Sequence, residues 1–209
     1  MNACIASGVV ALLLAAMPAW PAAAAPTPAA APARAAAPRP AALPGDSVLQ
    51  LPGVFTDQSA RRFSLRERRG QPQLVGMFYA SCQSVCPLLL NSAAAMIRKL
   101  EPEERGRLRV LMVSLDPARD NAARLMQLAL EHRLDLAQWT LASADGQLTR
   151  RLAAVLDIRY RQLAGGDFNH TAALTLLDAD GRIVARTENI GATPDAEFLA
   201  ALQRTLRTQ

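Results

Sequence analysis

The sequence contains few of the side chains that carry nucleophilic, redox or metal chemistry, with only 3 Cys and 2 His among 209 residues. Aromatic residues make up 4% of the chain, whereas the binding of nucleic-acid bases needs basic and aromatic side chains interleaved. The formal charge of +5 is modest. The basic cluster between Arg61 and Arg69 is interrupted by Glu67, a pattern typical of a solvated face. These scarcities argue against a nucleic-acid-binding protein.

A hydrophobic run long enough to cross a membrane is also lacking. The uncharged, mostly apolar residues 5–17 are too few to cross about 30 Å of hydrocarbon as a helix, but they have the length of the apolar part of an export signal. Small residues at 22–25 offer a cleavage site. We expect an export signal, or an uncleaved membrane anchor, over residues 1–25, with Cys4 lost or inert. An Ala- and Pro-rich linker is expected over 26–42.

Residues 43–209 have the length of one domain, and a chain with 51% apolar and 20% charged residues can form a packed core. Predicted strands cover 73–79, 108–114, 140–141, 173–177 and 182–186, and predicted helices cover 87–100, 120–133, 147–156 and 193–207. β-like segments at 48–51 and 55–65 predict a hairpin, and Thr193 and Pro194 suit the start of the last helix. This order predicts an α/β fold, a single thioredoxin-like domain with a central mixed sheet flanked by helices and an N-terminal β-hairpin.

Two cysteines follow the predicted export segment, Cys82 and Cys86, in the segment CQSVC between a buried strand and a helix. Pro87 belongs in the first turn of a helix, which places Cys86 near the helix N-terminus and Cys82 on the preceding loop. The helix dipole stabilises a thiolate there, and a thiolate is both a nucleophile and a soft metal ligand. By spacing alone, the pair could be a disulfide staple, a redox pair or a metal-binding pair.

The second candidate is His170, which precedes the strand predicted at 173–177, where sheets of this kind place ligands. In a thioredoxin-like arrangement its loop faces the cysteine loop. Two thiolates and an imidazole bind Cu(I) as a soft three-coordinate ion and accept Cu(II) with a further oxygen ligand, whereas structural zinc needs a fourth protein ligand. A lone His is more often a hydrogen-bonded loop residue, and His132, in the last turn of a predicted helix, is interpreted as structural.

Proline is absent between Pro117 and Pro194. Thioredoxin-type oxidoreductases place a cis-proline before the strand that faces their cysteines, and His170 and Thr171 take that place here. This absence weighs against disulfide exchange and favours metal binding. A methionine-rich cluster is lacking too, which weighs against a copper carrier of the methionine type.

Several segments, taken in order, resemble the Sco/SenC family of thioredoxin-fold copper proteins over about residues 43–206. They are FYASCQSVCP at the cysteine loop, VSLDPARD at 113–120, Trp139, and FNHT around His170. The resemblance implies a copper metallochaperone of the bacterial periplasm that receives copper from a periplasmic donor. Its client would be the CuA centre of cytochrome c oxidase or a related copper enzyme. The resemblance also implies that Cys82, Cys86 and His170 are the copper ligands.

Two positions depart from the family pattern, since its usual C-P-D-V-C loop is CQSVC here and the Asp before its His is Asn169. Neither change removes a predicted ligand. An Asn lacks the charge that raises imidazole basicity, so this departure bears on copper affinity. Asp116 and Asp120 match the family's acidic loop, although a turn and a helix N-cap also account for them.

Three functions are compatible with the sequence. The first is copper delivery by a monomeric, exported protein. The second is a thiol-disulfide oxidoreductase in which Cys82 and Cys86 are catalytic, reduce the copper-ligand cysteines of a client protein, and have no need of His170. The third, a peroxidase or redox sensor, rests on fold analogy alone.

Overall fold

The computed structural model describes residues 42–82 and 85–208, without the side chains of Val85 and Cys86. The predicted export segment over 1–25, with Cys4, and all but the last residue of the predicted linker lie outside the described residues. None of the described helices has both the length and the apolar character needed to cross a membrane.

A seven-stranded mixed sheet lies at the centre of the described chain. The strands of the chain are β1 (Phe55–Asp57), β2 (Arg62–Phe63), β3 (Gln73–Phe78), β4 (Arg109–Ser114), β5 (Trp139–Ser143), β6 (Tyr160–Gln162), β7 (Phe168–His170), β8 (Leu174–Leu177) and β9 (Ile183–Thr187). The order across the large sheet is β2-β1-β5-β4-β3-β8-β9, and β6 pairs with β7 in a separate two-stranded sheet. β3, β4 and β5 run parallel, and the other neighbours pair antiparallel.

Helices pack against this sheet. They are α1 (Val85–Arg98), α2 (Pro102–Arg107), α3 (Ala122–Glu131), α4 (Gly146–Val155) and α5 (Ala196–Arg207), with 3₁₀ helices at Val48–Gln50 and Leu65–Arg68. α1 contacts β3, α3 contacts β1 and β5, and α5 contacts β9 and α2. Asn121 and Asp145 cap α3 and α4 by accepting hydrogen bonds from first-turn N–H groups.

The central strands are buried on both faces, as expected for parallel strands covered by helices. All six residues of β3 are buried, and so are five of the six in β4. At Gly76 a Cβ would lie 2.9 Å from the Met112 sulfur, so a larger residue there would require the Met112 side chain to shift. The predicted central mixed sheet, its flanking helices and the N-terminal hairpin, formed by β1 and β2, are confirmed.

The prediction of a β-like segment at 48–51 is wrong. This segment is the 3₁₀ helix Val48–Gln50, because the Ser47 hydroxyl accepts a hydrogen bond from the N–H of Leu49 and holds the first turn closed. The sequence patterns also predict neither α2 nor the β6–β7 hairpin.

The start of the last helix is two residues later than predicted. Asp195, rather than Thr193, is the N-cap, and its Oδ1 accepts hydrogen bonds from the N–H groups of Glu197 and Phe198. The other carboxylate oxygen accepts from the Thr187 hydroxyl at 2.6 Å. The acidic side chain therefore ties the end of β9 to the start of α5.

Candidate metal centre

The cysteine loop begins where β3 ends. Its backbone turns back directly after the strand, with the N–H of Cys82 donating to the Tyr79 carbonyl at 3.2 Å. Cys82 is half-buried and packs against the hydrophobic core. α1 begins at Val85, so the backbone of Cys86 lies in its first turn, as predicted, while the Cys86 side chain lies outside the described part of the chain.

Asp120 holds the cysteine loop from the side of β4. Its Oδ2 accepts a hydrogen bond from the N–H of Ala80 at 2.9 Å and one from the Ser114 hydroxyl at 2.5 Å. The side chain is buried, and this burial raises the pKa of its carboxyl, although the two hydrogen bonds oppose the rise. Arg124 completes the connection by donating to the Ala80 carbonyl at 2.9 Å.

The two acidic residues of VSLDPARD therefore have local partners. Asp116 is buried and forms an ion pair with Arg119, which also donates to the Gly166 carbonyl in the loop before β7. The interpretation of Asp120 as a helix N-cap is wrong, because Asn121 caps α3 and Asp120 binds Ala80 and Ser114 instead. Both carboxylates connect loops around the site.

Tyr79 joins the cysteine loop to the strand that carries His170. Its hydroxyl makes a hydrogen bond with the Cys82 side chain and lies 3.4 Å from the Phe168 carbonyl oxygen. Its ring lies 5.2 Å from that of Phe168 and 5.9 Å, edge to face, from the imidazole of His170. Burial and the hydrogen bond to Cys82 raise the pKa of Tyr79 to about 12, so the phenol stays protonated.

His170 ends β7 with its imidazole half-buried. Nδ1 lies 3.1 Å from the Thr171 carbonyl oxygen, which can only accept a hydrogen bond, so Nδ1 carries the proton and Nε2 carries the lone pair. Burial lowers the pKa of the imidazole, although the bond to Thr171 opposes this. The ring is therefore neutral at pH 7, with Nε2 in the form that binds a metal.

The substitution at Asn169 leaves this arrangement intact. Asn169 is exposed, and neighbouring residues of a strand point to opposite faces, so its side chain lies away from the imidazole of His170. The Nδ1 partner is a backbone carbonyl. A carboxylate at position 169 on the same backbone would not take over the hydrogen bond that sets the tautomer.

The structure thus brings Cys82 and His170 together through Tyr79, at the carboxyl end of β3. Among the described side chains, no group of three His, Cys, Asp or Glu residues is placed to hold a metal ion; Cys86 is not among those side chains. His132 lies at the C-cap of α3, where its N–H donates to the Leu128 carbonyl. Sequence reasoning missed Tyr79, although it lies three residues before Cys82 in the segment FYASCQSVCP.

Comparison with known proteins assigns the chain to a family. The family model described as SCO1/SenC matches residues 45–207, which is most of the chain. The chain belongs to the SCO1/SenC family. A SCO1 protein homolog of Bacillus subtilis is 22% identical over 152 residues, covering 71% of this chain and 78% of the relative.

Solved structures show the fold that this SCO1/SenC chain shares. Arabidopsis thaliana ScoI with copper bound superposes with a TM-score of 0.64 at 16% identity, covering 76% of this chain and 98% of that one. BsSco, described as having a disulfide switch and as a member of the Sco family of cytochrome c oxidase assembly proteins, gives a TM-score of 0.64 at 18% identity and covers 75% and 92%. These likenesses confirm the thioredoxin-like fold.

Proposed function

We propose that this SCO1/SenC protein binds one copper ion with Cys82, Cys86 and His170 and delivers it to the CuA centre of cytochrome c oxidase or a related copper enzyme. The observation that carries the proposal is the contact of both Cys82 and His170 with Tyr79, with Nε2 of His170 holding the lone pair. Two thiolates and a neutral imidazole form a donor set that suits Cu(I).

The relatives support copper as the cargo and an assembly role. Copper is bound in the structure of Arabidopsis thaliana ScoI, and BsSco is described within a family of cytochrome c oxidase assembly proteins. The client proposed for this chain is carried over from that likeness, and a periplasmic copper donor is proposed from the sequence resemblance.

A cavity beside His170 offers a partner access to the imidazole. Its volume is about 550 Å³, and Arg159, Arg161, Asn169 and Thr171 are among the residues that line it. A client whose own thiolates approach through this cavity would replace the ligands of copper one at a time, so the ion would never be released to solvent. The direction of transfer follows from the relative affinities of the two sites.

The two histidines of the chain provide a matched test of the copper site. With the full-length reduced protein, we expect one copper per chain, and we expect His170→Ala to weaken Cu(I) affinity at least tenfold in a competition assay with a chromophoric chelator. The thiolate charge-transfer bands of the Cu(II) form should weaken in the same variant. His132→Ala, at the end of α3, should leave both measurements unchanged. Equal copper affinity in His170→Ala and the unmodified protein would refute the proposed ligand set.

The second candidate function is thiol-disulfide exchange, favoured by the position of the Cys86 backbone in the first turn of α1, where the helix dipole stabilises a thiolate. One thiolate of Cys82 and Cys86 would attack a client disulfide and release one client thiol. The other would then attack the mixed disulfide, leaving a reduced client and an oxidised Cys82–Cys86 pair. Two electrons pass to the client, and a thiol reductant must regenerate the pair.

Disulfide exchange and copper binding can be distinguished by His170→Ala together with variants of the two cysteines. Reduction of a peptide disulfide should persist in His170→Ala and disappear in Cys82→Ser and in Cys86→Ser. If the reduced chain leaves the peptide disulfide intact, this second function is excluded.

Export to the periplasm is proposed from the sequence of residues 1–25, and residues 26–42 are proposed to separate the monomeric domain, 43–209, from the signal or anchor. Cell fractionation with N-terminal sequencing of the mature chain tests the location and the cleavage together. A chain that is found in the cytoplasm with residues 1–25 intact would contradict the export proposal.

A further inference from the structure

A cationic cavity lies at the amino ends of the central strands, and Cys82 and His170 lie at the opposite, carboxyl end of β3. Gln73 and Arg109, the first residues of β3 and β4, line it. Because Cys82 follows the other end of β3, a strand of 6 residues, the cavity and the candidate metal centre are separated by about 20 Å. The cavity has a volume of about 430 Å³, within the range of small-molecule sites.

Arg68 is the central cation of this cavity. It ends the 3₁₀ helix Leu65–Arg68 and is half-buried, with its guanidinium carbon 5.5 Å from the centre of the Phe63 ring. Nε donates to the Gln73 side-chain oxygen at 2.5 Å, and Nη1 donates to the Thr140 hydroxyl at 3.2 Å. These two bonds fix the plane of the guanidinium, which has five N–H donors in all.

The cavity holds more positive charge than its carboxylates neutralise. Arg61 and Arg109 also line it, and within the described residues neither Arg68 nor Arg109 forms an ion pair. Burial, then the charges of Arg61 and Arg109, lower the pKa of Arg68 to about 10. The charged guanidinium is thus held at a cost in free energy that a bound anion would reduce.

The two acidic residues in the lining are engaged locally. Asp57 accepts hydrogen bonds from the N–H groups of Ser59 and Arg61 and from the Arg61 guanidinium. Glu67 accepts from the N–H and the hydroxyl of Ser64. Both carboxylates are therefore committed to the turns on which they lie.

We propose that this cavity binds a small organic oxyanion, a carboxylate or a phosphate ester, with its charged group against Arg68. Arg61 and Arg109 flank the anion, and the body of the ligand contacts the apolar wall formed by Phe63, Leu136 and Ala137. A planar guanidinium held by two side chains presents its remaining donors in the fork that carboxylate and phosphate groups accept. The site is independent of the proposed copper function, because the two lie at opposite ends of β3.

Binding of phenyl phosphate and citrate to the full-length chain, followed by isothermal titration calorimetry at constant ionic strength set with chloride, tests the proposal. Constant ionic strength is necessary because a chain of net charge +5 attracts any anion weakly. We expect saturable binding of one ligand per chain. Phenyl phosphate should bind more tightly than inorganic phosphate, because its ring adds contact with the apolar wall.

Arg66 supplies the matched control, since it lies on the same 3₁₀ helix but is exposed and outside the cavity. Arg68→Gln should weaken phenyl phosphate binding at least tenfold, whereas Arg66→Gln, with the same loss of charge, should not change it. Should Arg68→Gln fail to fold, Arg109→Gln replaces it, with at least threefold weaker binding expected. The proposal is overturned by a lack of saturable binding, by equal affinities in the cavity variant and the unmodified chain, or by an equal loss in Arg66→Gln. Copper binding should be the same in all these variants.

Discussion

Tyr79 joins the two candidate ligands whose side chains the structure describes, because it touches both Cys82 and His170. Tyr79→Phe removes the hydroxyl that bonds to Cys82 and lies near the Phe168 carbonyl, while the ring contacts remain possible. We expect a loss of about 1 kcal/mol in the free energy of unfolding, the usual contribution of one hydrogen bond. Copper affinity should fall several-fold because Cys82 loses a partner that orients its sulfur.

Tyr160→Phe is the control for that experiment. Tyr160 also packs against Phe168, at 6.1 Å between ring centres, and stands opposite His170 in the β6–β7 pair. Its hydroxyl makes no hydrogen bond to the Cys82 side chain in the described part of the structure, so copper affinity should stay unchanged. Identical losses in both variants would mean that the removal of either phenol hydroxyl beside Phe168 has the same effect, and that the bond from Tyr79 to Cys82 has no special role in the site.

His170 gives the folded protein a defined dependence on pH. Burial lowers the pKa of its imidazole below the ordinary value of 6.5, so the unfolded chain takes up this proton at a higher pH than the folded chain does. The contribution of His170 to stability is therefore complete above pH 6.5, and it is lost as the pH falls through 6.5 to the lowered pKa of the folded state. Copper binding should weaken over the same range, because a protonated ring has no lone pair.

Two measurements check this dependence. An NMR titration of the His170 ring should give a pKa below 6.5 in the folded chain, with Nδ1 protonated in the neutral form. His170→Gln should remove the corresponding part of the slope of unfolding free energy against pH. A pKa above 6.5 would contradict the role of burial.

The predicted ligands, Cys82, Cys86 and His170, could be named from the sequence because each stands in a short motif with a recognisable chemical type. The partners of His170 could not. The Tyr79 contact depends on the β6–β7 hairpin, whose three-residue strands carry too little periodicity to predict. The Thr171 carbonyl is a backbone group, and no side-chain pattern reveals it. The effect of Asn169 on copper affinity stays a prediction, although the Nδ1 partner in the structure is a backbone carbonyl rather than a side chain.

At the level of secondary-structure elements, Asp120 connects the β4–α3 loop to the cysteine loop. Asp120→Ala leaves the N–H of Ala80 and the Ser114 hydroxyl without their acceptor. Leaving buried donors unsatisfied costs about 2 kcal/mol. We expect that loss in urea unfolding, together with faster hydrogen exchange at the Ala80 amide.

Asp120→Asn separates hydrogen bonding from charge. The amide oxygen of the variant still accepts hydrogen bonds from Ala80 and Ser114. The substitution removes a carboxyl group whose pKa is raised by burial. The variant should therefore lose much less stability than Asp120→Ala, and exchange at Ala80 should stay slow. A loss as large as that of Asp120→Ala would show that the charge itself, through Arg124, holds the loop.

The long strands and helices could be predicted because their buried residues form a clear apolar pattern in the sequence. The short elements carry no such pattern. β3 and β4 are continuous apolar runs, as buried parallel strands require, and they were located within one residue or two. The start of α5 was misplaced because Thr193 and Asp195 are both suitable N-caps, and only the tertiary bond from Thr187 selects Asp195. The segment Val48–Gln50 has the apolar content of a strand, but it forms a 3₁₀ helix that packs on the β8–β9 turn, which is far away in the sequence.

Over the whole molecule, that N-terminal segment fastens the start of the domain to the β8–β9 turn. Val48 and Leu49 are buried, and the Val48 N–H donates to the Gly181 carbonyl at 2.8 Å. The Ser47 hydroxyl donates to the Asp180 carbonyl at 2.5 Å. Gly181 has φ +82, and a Cβ there would lie 2.3 Å from Leu49, so the turn needs glycine for both its conformation and its contact.

The boundary of the domain can therefore be tested by shortening the chain from its N-terminus. A chain that begins at Leu43 keeps the segment and should unfold with the same free energy as the full chain. A chain that begins at Pro52 loses the burial of Val48 and Leu49, worth about 2 kcal/mol each, and should be less stable by about 4 kcal/mol in guanidinium unfolding. Equal stability of the two shortened chains would show that the segment does not hold the sheet. A loss already present in the chain from Leu43 would place the boundary earlier, within the Ala- and Pro-rich residues.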